Sequence, residues 1–130
     1  MSSVYSDMSL FDSSLDNSSA KYNFSRFDSI RNLIREFLLD YPNTKIATRY
    51  FKPLSQGSDV AGIFCQADSS EDTEILDGLF GFIDIPAGMD GLSCDIVKRG
   101  SATYFFVYDS NLIHPKNIKT VNVYSICKAI

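Results

Sequence analysis

Apolar positions in the first third of the chain repeat with the period of an α-helix. Between Asn23 and Tyr41 they recur three and four residues apart, and polar side chains occupy the opposite face. Asn23 or Ser25 can accept from the free N–H groups of the first turn, and Ser25 with Asp28 resembles a capping box. Pro42 cannot donate to the helical ladder, so the helix should end at Tyr41. The apolar positions are Phe27, Ile30, Leu33, Ile34, Phe37, Leu38 and Tyr41.

After Pro42 the apolar period changes towards two, and short runs of β-branched and aromatic residues alternate with turn formers. Residues 86–91 and 98–101 are short and rich in turn formers, which favours hairpins and antiparallel pairing. Residues 72–77 predict no more than one helical turn, and no second helix pattern separates the strands. The predicted strands are residues 45–51, 60–67, 79–85, 92–98, 102–108 and 119–127.

These elements predict a single α+β domain over residues 21–130. Its expected architecture is one N-terminal amphipathic helix packed on a five- to six-stranded, mainly antiparallel, curled sheet. Residues 1–20 form a separate polar arm that holds eight serines, three aspartates and no base. The arm also carries Val4, Met8, Phe11 and Leu15 at helical spacing. It is therefore either a frayed terminus or a short amphipathic helix that docks on its own domain or in a partner's groove.

Composition places the chain among ordinary globular proteins, because 45% of its 130 residues are hydrophobic and 22% are charged. Residues 1–10 lack a basic start followed by an apolar run, and no stretch approaches the ~18 apolar residues of a membrane span. We therefore expect a cytoplasmic protein without a membrane partner. Cys65, Cys94 and Cys127 are odd in number and widely spaced, which is typical of small core residues.

Charge is distributed unevenly along the chain. Residues 1–20 carry −3, residues 21–52 carry +4, residues 53–97 carry −9 and residues 98–130 carry +4, which gives the net charge of −4. The central acids either pair with bases from the helix and the C-terminal strand or form a surface that steers a basic partner. The bases available for such pairing are Arg31, Arg35, Arg49, Lys116 and Lys119. The acids predicted to bind a partner are Asp68, Glu71, Asp72, Glu74 and Asp77, together with Met8, Phe11 and Leu15 of the arm.

No catalytic, metal or cofactor site emerges from the motifs. His114, the only histidine, precedes Pro115 in a loop, and neither Cys65 nor Cys94 stands in the sequence context of a known nucleophile. The acids at 68–74 lack the spacing and the glycine of a calcium loop, and the glycines form no nucleotide-binding motif. The aromatic strand at 104–108 is apolar on both faces, which is typical of a buried central strand rather than of a surface that stacks nucleic acid.

The sequence therefore favours a small acidic, non-enzymatic protein-binding module that acts by surface and charge complementarity. An inhibitor, an immunity-type protein or an adaptor fits this description, as do small phage or toxin-system antagonists of nucleic-acid-processing enzymes. Such a module would be a monomer or dimer that binds a basic protein and no nucleic acid directly. One alternative is a viral structural subunit that forms a ring or a higher oligomer. The other is a small enzyme or ligand-binding domain whose helix/sheet pocket is lined by some of the residues Phe37, Tyr50, Phe64, Phe82 and Tyr104.

Overall fold

Five antiparallel strands and two α-helices make up the fold, which confirms the predicted α+β class. The computed structural model describes residues 22–54 and 59–126. Short 3₁₀ turns occur at Phe24–Phe27 and Pro115–Asn117. In chain order the elements are α1 (Asp28–Leu38), β1 (Ala47–Pro53), β2 (Gly62–Ala67), α2 (Ser70–Met89), β3 (Ser93–Arg99), β4 (Ala102–Tyr108) and β5 (Val123–Ile126).

The strands lie in the order β3-β4-β2-β1-β5, and every neighbouring pair is antiparallel. β3 and β4 form the hairpin predicted at residues 98–101, where Arg99 pairs with Ala102 and Gly100 adopts a positive φ of 60°. β2 and β3 both run antiparallel to β4, which separates them. The chain therefore crosses from β2 to β3 through α2 without pairing these two strands.

α1 differs from the prediction at both ends. The predicted helix began at Asn23, but the chain first makes the 3₁₀ turn and becomes α-helical at Asp28. The capping box does not form, because the Ser25 hydroxyl donates to Asn23 Oδ1 at 2.9 Å. The helix ends at Leu38, and Tyr41 N donates to the Leu38 carbonyl at 3.0 Å in the turn before Pro42.

The predicted strand at 79–85 and the predicted turn at 86–91 are wrong, because both regions belong largely to the 20-residue helix α2. The single helical turn predicted at 72–77 is its beginning. Gly78, Gly81 and Pro86 resemble breakers in the sequence, and the apolar residues around them also fit a period of two. The region is helical because helical spacing places its fully buried residues on one face. These residues, each 0% exposed, are Leu76, Leu79, Ile83 and Ala87.

Local signals fix both ends of α2. The Ser69 hydroxyl accepts from Asp72 N at 3.1 Å, which caps the first turn. At the other end Leu92 N donates to the Ala87 carbonyl at 2.8 Å and Gly91 N to the Gly88 carbonyl at 3.0 Å. This pair of bonds is a Schellman motif, and it requires the positive φ of 76° at Gly91. Gly91 is therefore a helix terminator and not part of a hairpin turn.

The sheet has two buried faces of different composition. Both helices pack on the face that carries Tyr50, Ile63 and Phe105, which we call the helix face. The opposite face, which we call the aromatic face, is lined mainly by large rings. The connection between β4 and β5, residues 109–122, contributes to the aromatic face through Ile113 and Ile118. The rings of the aromatic face are Phe51, Phe64, Tyr104, Phe106 and Tyr108.

Gly62 pairs with Tyr108 at the end of the β2–β4 ladder, where there is no room for a side chain. A Cβ at this position would overlap the Val107 carbonyl oxygen and come within 2.8 Å of Tyr108 Cα. Both obstacles are backbone atoms of a central strand and cannot move independently of the sheet. We therefore expect Gly62→Ala to lower the free energy of unfolding by about 2–4 kcal/mol, as measured by urea denaturation.

Gly81→Ala is the matched control. Gly81 lies inside α2, and a Cβ there meets nothing within 4 Å. This substitution should raise the free energy of unfolding by about 0.5–1 kcal/mol through helix propensity. Equal effects of the two substitutions would contradict the close approach of β2 to β4.

Candidate functional site

The structure brings the acids predicted from the sequence onto one element. Asp68 lies just before α2, and Glu71, Asp72, Glu74 and Asp77 occupy its first half. With Asp84, α2 carries five carboxylates and no base. The arm residues Met8, Phe11 and Leu15, and Cys127, lie outside the described residues.

Two of these acids accept hydrogen bonds from other parts of the domain. Asp72 Oδ1 accepts from the Thr44 hydroxyl at 2.7 Å, and Asp72 Oδ2 accepts from Lys45 N at 3.2 Å. These bonds fasten the loop between α1 and β1 to the start of α2. Asp68 Oδ1 accepts from the Gln66 side-chain amide at 3.1 Å. Asp72 and Asp68 therefore already accept hydrogen bonds within the domain.

Glu71, Glu74 and Asp77 are exposed. The predicted pairing of the central acids with bases from the helix and the C-terminal strand does not occur among residues 22–54 and 59–126. There the ion pair is between Arg31 and Asp28 within α1, at 3.6 Å. These three carboxylates thus face solvent, as does that of Asp84 in the second half of α2.

The second half of α2 exposes apolar side chains on the same side of the helix. Phe82 is 43% exposed, Ile85 72% and Met89 82%. At about 100° per residue, Glu74, Ile85 and Met89 fall within about 60° of arc. Exposed large apolar side chains that lie together are unusual on a monomer and mark interaction sites.

Aromatic side chains of α1 and its following turn extend this apolar area. The Phe37 ring lies 5.4 Å from the Phe82 ring and 5.4 Å from the Tyr41 ring, measured between centroids. Phe37 also packs over Gly78, where an added Cβ would lie 3.4 Å from its ring. We call the combined area the α2 surface. It consists of the acidic residues Glu71, Glu74 and Asp77 and the apolar residues Tyr41, Phe82, Ile85 and Met89.

Three surface clefts lie around the connection between α1 and β1. One, of about 280 Å³, lies between residues 40–44 and the α2 residues Glu71, Asp72 and Ile75. A second of about 280 Å³ shares Asn43, Glu71 and Asp72 with it, whereas a third of about 400 Å³ lies between the end of α1 and the start of β1. None of their lining residues is buried, and none is a histidine or a cysteine. These clefts are therefore open features of the surface and not an enclosed active-site cavity.

The aromatic residues of the predicted helix/sheet pocket are not brought together. Tyr50 belongs to the helix face, whereas Phe64 and Tyr104 belong to the aromatic face. Phe82 points outward with Phe37 beside it. The sheet itself separates Phe64 and Tyr104 from Phe37 and Tyr50, so all five residues do not line one cavity. Tyr104–Tyr108 of β4 are each 0–1% exposed, which confirms the buried central strand.

The thiols and the histidine also lie apart. Cys65 and Cys94 pack on the helix face, while His114 is exposed in the connection that covers the aromatic face. His114 Nδ1 accepts from Lys116 N at 3.1 Å, which makes it a cap of the 3₁₀ turn. Residues 22–54 and 59–126 contain no group of three or more metal-ligating side chains.

Burial raises the pKa of both described thiols. The pKa of Cys65 rises to about 12 despite its contact with the Thr48 hydroxyl at 3.6 Å. Burial, followed by the charges of Asp84 and Asp95, raises the pKa of Cys94 to about 12. Burial also raises the pKa of Tyr108, whose hydroxyl donates to Asp95 at 2.6 Å. These are the opposite of the shifts that activate a nucleophile.

We expect Cys65 and Cys94 to resist iodoacetamide at pH 8 in the folded protein. The thiolate reacts, and a thiol whose folded pKa is raised stays protonated up to about pH 12. In the unfolded chain the thiols ionise at about pH 8.5, so both should react readily in guanidinium. Because the folded thiols have the higher pKa, the free energy of unfolding should fall as the pH rises above about 8.5. Mass spectrometry of the peptides separates the cysteines, and fast labelling of folded Cys94 at pH 8 would favour an enzyme.

The apolar half of the α2 surface was not found from the sequence. The sequence pattern predicts a strand at Phe82 and Ile85 and a turn at Met89. The available signal was their helical spacing i, i+3, i+7, together with the Ser69 cap upstream.

An α+β domain with one exposed, half-acidic and half-apolar helix is the class that these observations define. Comparison of the chain with protein-family models, curated proteins and solved structures found no match. In the described part of the chain, no helix combines the length and the apolar character needed to span a membrane.

Proposed function

We propose that this protein is a non-enzymatic protein-binding module that holds its partner against the α2 surface. The observation that carries the proposal is the exposed stripe in which Ile85 and Met89 continue a row of solvated carboxylates. Neither half of the stripe contributes to the described core. Exposed apolar patches with a charged border are the usual signature of a protein interface.

Requirements of folding explain only part of this charge. Glu71 and Asp72, in the first turn, interact favourably with the helix dipole. Asp77 and Asp84 lie beyond that turn, where the dipole gives no such benefit, and no base within α2 compensates them. A row of like charges is useful when a basic surface approaches, because it raises the rate of encounter.

The partner that fits this surface carries lysines or arginines beside an apolar patch. A nucleic-acid-processing enzyme has such a basic surface, which supports a role as an inhibitor, an immunity-type protein or an adaptor. Nucleic acid itself is disfavoured because its phosphates would meet the carboxylates of α2. The proposal places the protein in the cytoplasm as a monomer or dimer, in keeping with the free thiols of Cys65 and Cys94.

The charge variant Glu74→Lys with Asp77→Lys tests the acidic half. The partner is first captured on the tagged full chain from the native host and then purified. We expect the variant to bind it with an association rate at least about 10-fold slower at low salt, and with a weaker dependence on salt. Biolayer interferometry at several salt concentrations provides the measurement.

A control of equal net charge separates local from overall electrostatics. It adds four positive charges at exposed positions away from α2. An equal loss of association rate in this control would contradict the α2 surface as the binding site. The control substitutions are Ser101→Lys, Ser110→Lys, Asn117→Lys and Thr120→Lys.

The variant Ile85→Ser with Met89→Ser tests the apolar half. Both side chains are largely exposed, so the free energy of unfolding should change by no more than about 0.5 kcal/mol. Dissociation of the same partner should become about 10-fold faster or more, because short-range packing is lost. Leu112→Ser, at a residue 42% exposed in the β4–β5 connection, should leave dissociation unchanged. A dissociation rate unaffected by the double variant would remove the apolar half from the interface.

A further inference from the structure

β3 is an outer strand of the sheet, and among the described residues its one neighbour is β4. It runs for seven residues, Ser93–Arg99, without a proline or a bulge. Proteins usually shorten, bend or cover such a strand, because its free N–H and C=O groups pair readily with another chain. The described elements do none of these things at β3, so its outer edge is open to a further strand.

The hydrogen-bond pattern of the sheet shows which groups of β3 point outwards. Asp109 N donates to the Ala61 carbonyl at 2.8 Å, so β4 bonds to β2 through its odd-numbered residues. The even-numbered residues of β4 therefore bond to β3, where their partners in the register are odd-numbered. The backbone N–H and C=O groups of Cys94, Ile96 and Lys98 consequently point to the open edge.

These three residues are spaced symmetrically about the middle of the strand. Ile96 is the central residue of β3, with Cys94 two positions before it and Lys98 two positions after it. An antiparallel second copy centred on Ile96 therefore opposes Ile96 to its counterpart and Lys98 to Cys94. Every residue of β3 then has a partner, and the outward-facing groups exchange about six hydrogen bonds. The helix faces of both copies lie on the same side of the joined sheet.

The charges beside the edge are complementary in this arrangement. Asp84 lies about 200° around α2 from Phe82, which contacts α1, and therefore on the flank of the helix above β3. Its charge contributes to the raised pKa of Cys94, which places the carboxylate near that thiol. Lys98 is exposed at a helix-face position of β3. Opposite Cys94 of a second copy, Lys98 lies beside that copy's Asp84, an acid for which α2 itself offers no base.

We propose that two copies of this chain pair through β3 as an antiparallel, two-fold symmetric dimer, in which each Lys98 forms an ion pair with Asp84 of the other copy. Two five-stranded sheets become one continuous sheet. The contact is isologous, so it closes at two copies. Glu74 and Ile85 lie on the side of α2 opposite its buried residues, so the α2 surface stays accessible and the dimer does not rest on it.

Sedimentation equilibrium on the full chain tests the dimer. A contact made mainly by one strand from each copy is small, so we expect a dissociation constant in the micromolar range. Measurements from about 1 to 300 µM protein cover that range. The mass should rise with concentration from 14.5 kDa towards twice that value. A mass of 14.5 kDa at every concentration would overturn the inference.

Charge reversal at two exposed positions tests the contact itself. Asp84→Lys brings two bases together at both ends of the interface, and Lys98→Asp brings two acids together there. Each variant alone should raise the dissociation constant of the dimer at least about 10-fold. A mixture of the two variants should restore the dimer, because every contact then joins a base to an acid. Both side chains are exposed, so neither substitution should change Tm.

Asp40→Lys provides the matched control for the mixture. Asp40 is exposed in the turn after α1, and it lies away from the open edge of β3. This variant has the same charge as Asp84→Lys. Mixed with Lys98→Asp it should not restore the dimer, which separates a local contact from overall electrostatic attraction.

Amide hydrogen exchange gives a second readout that needs no substitution. The amides of Ile96 and Lys98 should exchange at least about 10-fold more slowly at high than at low protein concentration, because the dimer alone protects them. The amide of Val97 bonds to β4 in both states and is the control within the same sample.

The inference is overturned if the mixed charge variants stay monomeric, or if the dimer survives each charge reversal alone, since another surface would then join the copies. It is also overturned if Ile96 and Lys98 become protected only when the partner captured by the chain is added, because the edge would then bind a strand of that partner. The kinetics of the Glu74/Asp77 variant are measured separately, so failure here is distinguishable from failure of the proposed function.

Discussion

The pairing of β2 with β4 is the constraint on which the rest of the structure depends. Phe64 and Phe106 are neighbours on one face of this pair, and Cys65 and Phe105 are neighbours on the other. All four are 0–1% exposed. A strand pair that is apolar on both faces is stable only when both faces are covered. The two helices cover one face, and the connection that leads to β5 crosses the other. Gly62 leaves room for the backbone of β4, and β1 and β3 pair on the outer sides of these two central strands.

α1 and most strands were predictable because their local pattern agrees with their tertiary setting. β4 reads as apolar on both faces and is buried on both. α2 is not predicted because Gly78, Gly81 and Pro86 suggest a break. Phe37 packs over Gly78, and the Schellman motif at Gly91 ends the helix beyond Pro86. The contact of Phe37 with Gly78 has no signature in a single sequence, whereas Gly91 is a local stop signal that becomes meaningful only once the preceding residues are recognised as a helix.

The sequence identifies the acidic candidates, but it does not distinguish those that hydrogen-bond within the fold from those that face solvent. Asp72 and Glu74 are two positions apart in the same charged run. Asp72 accepts two hydrogen bonds that hold the α1–β1 turn, whereas Glu74 points to solvent. The direction of each side chain depends on its position around the helix, which a prediction of strand and turn does not provide. The wrong prediction also fails to identify Ile85 and Met89 as part of one surface. Residues that lie together on one face of a helix are far apart along a strand.

The two sides of the sheet differ in what they contribute to stability and to function. Rings on the aromatic face are buried, so this side contributes stability and is closed to an external partner while it remains covered. On the helix side the core is complete within α1, α2 and the sheet, and the outer half of α2 takes no part in it. Charge and apolar area that folding does not use are free to be selected for binding. Because the sheet lies between the two sides, a substitution on the α2 surface leaves the aromatic cluster intact, and the two sets of residues can be tested separately.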